Sequence, residues 1–366
     1  MVPDSDRSRT GVYNHTPTRL WQFTLFAKNS VFKVSLFDAI TLHYGDPIKE
    51  AQSCRRSSAL FDFSFLAIAA VSGVDSIAAL SHISSRNIAA LPIGRIYYGV
   101  RRNPDGTLAA DLTVWRTGAD SFWLMSGRRR DVSDLCTAEY RIDCSDLTDN
   151  TAVFALQGPD SARLLAQVAG CDAPMRLEYF SHTPVSLLDI PCTIGRLGYT
   201  GEIGFELVTP AQYADDLWNR LSQLTNTAGF AAANILRIEA GFLLFTHEFS
   251  IPVRASEAGL SKLLHDQDES PRVQLCCFTA SARGDFEFWQ PRAGLSLPNA
   301  AGTICVTSAA YSPIARSILG LGYVSTEENF QSIVTDPERK FTHIKIVSLP
   351  YYDSGKVIPR QTLIKL

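Results

Sequence analysis

The chain has 366 residues, of which 46% are hydrophobic and 19% charged, and its net charge at pH 7 is −3. This composition is typical of a globular protein with a sizeable core, and the slightly acidic balance argues against broad nucleic-acid binding. No apolar run reaches about 18 residues and the polar start has no signal-peptide core, so we expect no membrane span and a cytoplasmic location.

The eight cysteines and seven histidines are scattered along the chain. No two cysteines form a C-x-x-C pair, so the sequence predicts no metal site. In a reducing cytoplasm the cysteines of a chain this long are typically free and buried. We therefore expect free thiols and no disulfide framework.

The first part of the chain alternates helix and strand signals. Asp75 precedes an apolar helical stretch, where a carboxylate suits the positive end of the helix dipole. Asn103 to Gly106 is a turn sequence between two strand-like runs, which predicts a hairpin. The predicted elements are a helix at 48–58, a strand at 65–71, a helix from 76, and strands at 97–102, 108–115 and 122–126.

The next part of the chain repeats this alternation. A strand, a helix, two strands and a helix make a ferredoxin-like unit. After residue 270, short strands separated by Gly, Pro, Asn and Asp replace the helices, which favours a small antiparallel barrel. The predicted elements before that point are a strand at 151–156, a helix at 160–169, strands that end at 196 and begin at 205, and a helix at 210–224.

The sequence therefore predicts the α+β class, with two ferredoxin-like subdomains and a C-terminal antiparallel β-barrel. We place the domain boundaries at 1–147, 148–268 and 269–366.

The segment from Arg196 to Glu206 carries three glycines at a spacing of three, at Gly198, Gly201 and Gly204. Glycines permit positive φ and the close approach of a flat ligand. Glu202 lies on the turn between them, where its carboxylate can accept two parallel hydrogen bonds from an amidine-like edge such as that of a pterin. The alternative is a hairpin with a solvated Glu at its tip.

Four further blocks accompany this segment, at 60–64, 103–114, 236–241 and 307–313. They resemble L-F-D-x-S, N-x-x-G-G-x-x-x-D-L-x-V, L-R-L-E-A-G and T-S-G-x-Y-S-P of the glycine-cleavage T-protein (aminomethyltransferase) family, whose members bind tetrahydrofolate. Arg196 to Glu206 matches the family's R-x-G-Y-T-G-E-x-G-F/V-E at every specified position. Five blocks in the same order make the resemblance specific.

The resemblance implies two related folate-binding halves and a C-terminal β-barrel around a central opening that holds tetrahydrofolate. It implies that Glu202 pairs with the pterin and that Tyr98 lines the pocket, with Tyr199 and Glu239 as further cofactor-side residues. It also implies that Asp111 lies near N5 and is catalytic, because its charge would stabilise a positive N5 or iminium carbon and accept a proton. Without the resemblance, Asp111 would be an exposed hairpin residue and Tyr98 a packing residue.

Arg237 and Glu239 lie two positions apart in an apolar run, so they do not share a helix face. Buried charges need partners, so we expect each of the two to bind a different one. We expect a structural role for Arg237.

Several positions depart from the family pattern. Ala110 stands where T-proteins carry an Asp, and Phe65 stands where they carry a His. Ala233 and Asn234 stand where they carry Arg and Asp, and that Arg contacts folate in T-proteins. The segment Leu36–Leu42 replaces the family's F-x-G-W-x-M-P block. These changes argue against an ordinary role in glycine cleavage, which needs docking of a lipoyl carrier, and they leave one-carbon chemistry on folate in place.

We therefore predict an enzyme, a tetrahydrofolate-dependent methyl or methylene transferase that acts on a small N-, O- or S-substituted donor or acceptor. The alternatives are a glycine-cleavage aminomethyltransferase, or a non-catalytic folate-binding protein. The absence of a G-x-G-x-x-G motif after a strand excludes a flavin domain within the chain, and it leaves room for a separate flavoprotein or carrier protein as partner. No nucleic-acid or membrane partner is expected.

Overall fold

The computed structural model describes residues 40–264, 271–282, 296–299, 302–326 and 341–364. These residues form a mixed α+β structure with three sheets. Its helices are α1 (Pro47–Arg56), α2 (Ser76–Ser84), α3 (Arg129–Cys136), α4 (Ser161–Ala169), α5 (Ala173–Arg176), α6 (Ala214–Ser222), α7 (Phe230–Glu239), α8 (Phe245–Glu248) and α9 (Ser261–Leu264). Within this part of the chain, no helix is long and apolar enough to cross a membrane.

The strands fall into three groups along the chain. Those of the first part are β1 (Ala59–Asp62), β2 (Ala67–Ser72), β3 (Ile96–Arg102), β4 (Leu108–Arg116), β5 (Ser121–Ser126) and β6 (Asp143–Asp146). The second part has β7 (Thr151–Gln157), β8 (His182–Leu187), β9 (Ile190–Gly195), β10 (Gly204–Pro210) and β11 (Asn226–Thr227). The third has β12 (Val273–Ala282), β13 (Ser296–Asn299), β14 (Gly302–Ser312), β15 (Ser317–Ser325) and β16 (Phe341–Val347).

The first sheet has five strands in the order β3-β4-β5-β2-β6, and the predicted hairpin is confirmed as β3 and β4. Side chains alternate between the two faces of a strand. Leu112 of β4 packs with Leu80 of α2 and Val132 of α3. Asp111 and Thr113 therefore face away from the helices.

The second sheet has six strands in the order β11-β1-β7-β10-β9-β8. Phe205 and Leu207 of β10 pack with Leu165 of α4 and Leu217 of α6, so Glu206 faces the opposite side. Strand β1 comes from the first part of the chain and pairs antiparallel with β7. The two parts are thus interleaved at β1, and the domain boundaries predicted above stay a proposal.

The third sheet has the order β13-β14-β15-β12-β16 and is antiparallel. All ten residues of α7 are buried, including the polar Asn234, Arg237 and Glu239. Ala232 and Leu236 of α7 share a core with Cys277 and Leu319 of this sheet. Its two edge strands, β13 and β16, are not paired with each other in the described residues. Closure of the sheet into a barrel therefore stays a prediction, as do the ferredoxin-like halves.

Helix α1 begins at Pro47, one residue before the predicted start at 48, and ends at Arg56. Asp46 caps it, because the Asp46 carboxylate accepts hydrogen bonds from the backbone N–H groups of Ile48 at 2.9 Å and Lys49 at 3.2 Å. Pro47 occupies the first turn, where a missing N–H costs nothing. The last turn of this helix carries Arg55 into the interior.

Cys136 at the end of α3 and Cys144 in β6 form a disulfide, with their Cα atoms 5.0 Å apart. The prediction that all cysteines are free thiols was therefore wrong at this pair. Helix α3 lies beside β6, which returns the chain to the first sheet and brings the two sulfurs together. The six other cysteines are free.

Candidate functional site

A cavity of about 540 Å³ lies where the helix-free faces of the first two sheets meet. Most of its wall is apolar, and residues of both sheets, of α7 and α8, and of the C-terminal segment contribute to it. Nine aromatic residues line it: Phe63, Phe65, Tyr98, Tyr179, Phe180, Tyr199, Phe230, Phe242 and Phe245. A concave, aromatic space with few polar groups is typical of a small-molecule site.

Asp111 and Tyr98 lie next to each other on this wall. Tyr98 pairs with Thr113 across the β3–β4 ladder, which makes Asp111 its diagonal neighbour. The Tyr98 hydroxyl donates a hydrogen bond to Asp111 Oδ2 at 3.4 Å. Burial raises the pKa of Asp111 to about 6, and burial together with the nearby Asp111 raises the pKa of Tyr98. Asp111 is thus a carboxyl group that can change its protonation near neutral pH.

Glu206 is the second carboxyl group of the cavity wall, and the sequence analysis did not identify it. Its residue is 8% exposed, and burial raises the pKa of its carboxyl to about 7. No hydrogen bond or ion pair reaches this carboxyl from the described residues. Burying a carboxyl without a partner is costly unless a ligand pairs with it. Two sequence signals were available, because Glu206 is the last specified position of the motif that begins at Arg196 and is an isolated Glu in an apolar strand.

Glu202 and Glu239 do not line the cavity. Both are bound by Arg55, which lies 2.9 Å from Glu202 Oε1 and 2.8 Å from Glu239 Oε2. The Tyr352 hydroxyl donates to Glu202 Oε1 at 2.7 Å, and the Ser312 hydroxyl donates to Glu239 Oε1 at 2.7 Å. The positions of these two glutamates therefore do not support their predicted contacts with a pterin.

Arg55 connects separate parts of the chain. Besides the two glutamates, it donates to the carbonyl oxygens of Thr200 at 2.8 Å and Leu236 at 3.3 Å. Its guanidinium lies 3.8 Å from the ring centroid of Tyr352. Arg55 thereby holds the glycine-containing turn against α7 and the C-terminal segment. The sequence analysis missed this role, because a lone Arg near a helix end is ordinarily a surface residue.

The glycines of this turn make room for protein atoms. A Cβ on either Gly198 or Gly204 would overlap the side chain of Gln157. Gly201 has φ +80°, and a Cβ there would lie 2.7 Å from that of Ala240. Of the three glycines, Gly198 alone also lines the cavity. Their spacing is therefore explained first by packing.

Tyr199 lies on the cavity wall. Its hydroxyl donates to the carbonyl oxygen of Leu243 at 2.7 Å, and its ring stacks on Phe242 with 6.1 Å between centroids. Arg237 is fully buried and forms an ion pair of 2.7 Å with Glu248. It thus has a different partner from Glu239, as expected, and does not line the cavity.

One of the departures from the family pattern alters the cavity wall and one lies behind it. Phe65 lines the cavity and contacts Phe230 edge to face, with centroids 5.7 Å apart. Ala233 is buried in the core formed by α7 and does not line the cavity. Where the family pattern carries His and Arg, this protein therefore has aliphatic and aromatic packing. Of the segment Leu36–Leu42, residues 36–39 lie outside the described part.

Comparisons with known proteins identify the family of this chain. A family model, the GCVT N-terminal domain, matches residues 36–267, and the chain belongs to this family. It is 26% identical to an aminomethyltransferase of Halothermothrix orenii over 86% of this chain and 93% of that protein. It is 30% identical to a probable aminomethyltransferase of Halobacterium salinarum over 76% of this chain and 82% of that protein.

A solved structure has the same fold. The glycine cleavage system aminomethyltransferase T from Bartonella henselae superposes with a TM-score of 0.71 at 25% identity, covering 84% of this chain and 90% of that one.

Within the described residues of the present protein, no group of three or more His, Cys, Asp and Glu side chains is arranged to hold a metal ion.

Proposed function

We propose that this protein is a tetrahydrofolate-dependent one-carbon transferase and that the unit it transfers is an aminomethyl carbon. The observation that carries the proposal is an aromatic cavity whose wall holds two carboxyl groups, the half-buried Asp111 and the buried Glu206, with no cation bound to either among the described residues. A reduced pterin supplies a flat ring, an amidine-like edge of N–H donors, and a nucleophilic nitrogen.

Glu206 is the residue that we propose for the pterin edge, in place of Glu202. An ionised carboxylate accepts two parallel N–H bonds from an amidine-like edge, and such charge-assisted pairs are the stronger kind of hydrogen bond. The missing counter-charge in the protein suits a ligand that brings its own donors. The aromatic wall suits the ring, which it would orient and shield from water.

Asp111 is the residue that we propose for catalysis. One-carbon transfer to a folate nitrogen develops positive charge at that nitrogen or at the transferred carbon, and a proton must leave. A carboxylate with a pKa of about 6, surrounded by apolar groups, can stabilise this charge and hold the proton. Tyr98 orients the carboxylate through its hydroxyl.

The named relatives favour the aminomethyl reaction over the broader donor range that the sequence analysis ranked first. Relatives that cover most of the chain bear that name, in spite of the departures at Phe65 and Ala233. We accordingly propose a lipoyl-type carrier protein as partner. A free small N-, O- or S-substituted substrate, with or without a flavoprotein, becomes the second candidate because most of the cavity wall is apolar.

The test is to mix the purified protein with tetrahydrofolate and an aminomethylated lipoyl carrier under anaerobic conditions. The proposal predicts ammonia release matched by methylenetetrahydrofolate, identified by mass, and loss of both in Asp111→Asn. Ammonia release without the protein-dependent folate product would contradict it. A methylated folate formed only from free small donors would support the second candidate instead.

A further inference from the structure

The C-terminal segment Pro350–Arg360 contributes two cationic side chains to the cavity. Lys356 and Arg360 both line its wall, together with Pro359. None of the motifs of the sequence analysis includes them. Neither side chain forms an ion pair with a carboxylate in the described part of the chain. The nearest acidic residue along the segment, Asp353, instead accepts a hydrogen bond from the backbone N–H of Ile358 at 2.8 Å.

The segment is held in place by the buried arginine described above. The Tyr352 backbone N–H donates to the carbonyl oxygen of Glu239 at 2.7 Å, and its hydroxyl donates to Glu202 at 2.7 Å. The ring of Tyr352 lies against the Arg55 guanidinium. Lys356 follows four residues after Tyr352. It therefore belongs to a segment that is held against the protein interior and not to a free chain end.

Lys356 is half-buried on the aromatic wall. Its ammonium nitrogen lies 5.0 Å from the ring centroid of Phe242, which in turn stacks on Tyr199. Burial and the like charge of Arg360 lower the pKa of Lys356. Its φ of +50° is in the left-handed region, which non-glycine residues adopt only where the surroundings impose it. A constrained cation beside a second cation, without a counter-ion, is arranged to receive an anion.

We propose that Lys356 and Arg360 form a carboxylate-binding subsite of the cavity. This inference rests on the proposed function, because the ligand must already occupy the same cavity. The two carboxyl groups of the wall, Asp111 and Glu206, suit the cationic and donor-rich parts of a ligand. The two cations suit its carboxylate.

The carboxylate has two possible sources. It belongs either to the glutamate tail of tetrahydrofolate or to an amino-acid carboxylate bound beside the pterin. Both are recognised by the same charge-assisted hydrogen bonds, so ligands that carry only one of the two distinguish them. A tetrahydropterin without the aminobenzoylglutamate tail has neither, and glycine is the smallest amino-acid carboxylate.

The experiment compares the wild type, Lys356→Gln, Lys356→Arg and Arg360→Gln by anaerobic titration. Arg360 is exposed, so its replacement leaves the fold intact. Lys49→Gln is the matched control, because Lys49 is 81% exposed on α1 and does not line the cavity. Each protein is titrated with tetrahydrofolate, with the tailless tetrahydropterin, and with glycine in the presence of tetrahydrofolate.

If the subsite binds the tail, Lys356→Gln and Arg360→Gln raise the Kd for tetrahydrofolate about five- to tenfold and leave the Kd for the tailless tetrahydropterin unchanged. If it binds an amino-acid carboxylate, the same variants raise only the Kd for glycine. Lys356→Arg retains most of the affinity in either case, and Lys49→Gln changes none. Unchanged affinities in both charge-removing variants would overturn the subsite. Failure of the wild type to bind tetrahydrofolate would overturn the proposed function instead.

Discussion

Arg55 and Glu202 form an ion pair of 2.9 Å between side chains that are only 8% and 3% exposed. The same guanidinium binds Glu239 and lies on the ring of Tyr352. The sequence suggests Glu202, in the glycine-containing turn, as a ligand-binding group. In the structure this glutamate is instead part of the protein interior. The turn supports the cavity from behind, and α1, α7 and the C-terminal segment meet at this arginine.

Glu202→Ala is expected to destabilise the fold. Removing one partner of a buried ion pair leaves an uncompensated charge and costs about 3–5 kcal/mol. Glu239 still binds Arg55, so we expect the lower part of that range in urea unfolding followed by circular dichroism. Asp172→Ala, which removes an exposed pair with Arg176, is the control and should change little. A Glu202→Ala protein with wild-type stability and lost folate binding would instead restore Glu202 as a ligand.

Asp111→Asn is expected to lower turnover far more than folate affinity. The amide keeps the shape and removes the charge that we propose stabilises the transition state, so kcat should fall by about 10²-fold or more. The measurement is the rate of methylenetetrahydrofolate formation, with the Kd for tetrahydrofolate determined on the same preparation. Near-normal turnover would assign catalysis to another group, and an equal loss in kcat and affinity would make Asp111 a binding residue.

The affinity for tetrahydrofolate is expected to rise with pH because of Glu206. Burial raises the pKa of this carboxyl to about 7, so at pH 6 most of the empty protein carries it protonated. In the proposed function the ionised form accepts the pterin donors, and its fraction grows about tenfold between pH 6 and pH 8. The Kd should therefore fall about tenfold across this range.

Glu206→Gln is the matched variant for that pH dependence. It has no titrating group at this position, so its affinity should be weaker by about 2 kcal/mol at pH 8 and nearly flat with pH. The same tenfold change in Glu206→Gln would show that another group, such as Asp111 with its pKa of about 6, produces the pH dependence.

Reduction of the Cys136–Cys144 disulfide is expected to destabilise the protein. The two cysteines are 8 positions apart, and closing a loop of this length restricts the unfolded chain by about 2.5 kcal/mol. The measurement is urea unfolding of the wild type with and without dithiothreitol. The double variant Cys136→Ser/Cys144→Ser should match the reduced wild type and be insensitive to dithiothreitol. Recovery of the two cysteines as separate free thiols in a non-reducing peptide digest would contradict the bridge.

The local elements could be predicted from the sequence, because they depend on near neighbours. The Asn103–Gly106 turn specifies the hairpin that carries Asp111, and alternation along β4 directs Asp111 away from the helices. The helix predicted at 48–58 corresponds to α1, Pro47–Arg56. Asp111, Tyr98 and Tyr199 were accordingly found among the residues of one cavity wall.

The long-range arrangement could not be predicted in the same way. Arg55 and Glu202 are 147 positions apart, and no local pattern couples a helix end to a distant turn. Glu202 lies in the turn and Glu206 in the strand β10 that follows it. Glu206 faces the cavity because Phe205 and Leu207, its neighbours in the strand, pack into the core on the opposite side of the sheet. Lys356 and Arg360 reach the cavity because Tyr352 binds Glu202 and Glu239, a contact made only in the folded chain.

The central claim is that this cavity binds tetrahydrofolate between Glu206 and Asp111. Anaerobic calorimetric titration of tetrahydrofolate into the wild type, Glu206→Ala and Asp111→Asn tests it most directly. The account predicts one saturable site in the wild type, its loss or a weakening by about 2–3 kcal/mol in Glu206→Ala, and near-normal binding in Asp111→Asn. Absence of saturable binding to the wild type, or equal binding by folded Glu206→Ala, would contradict the claim.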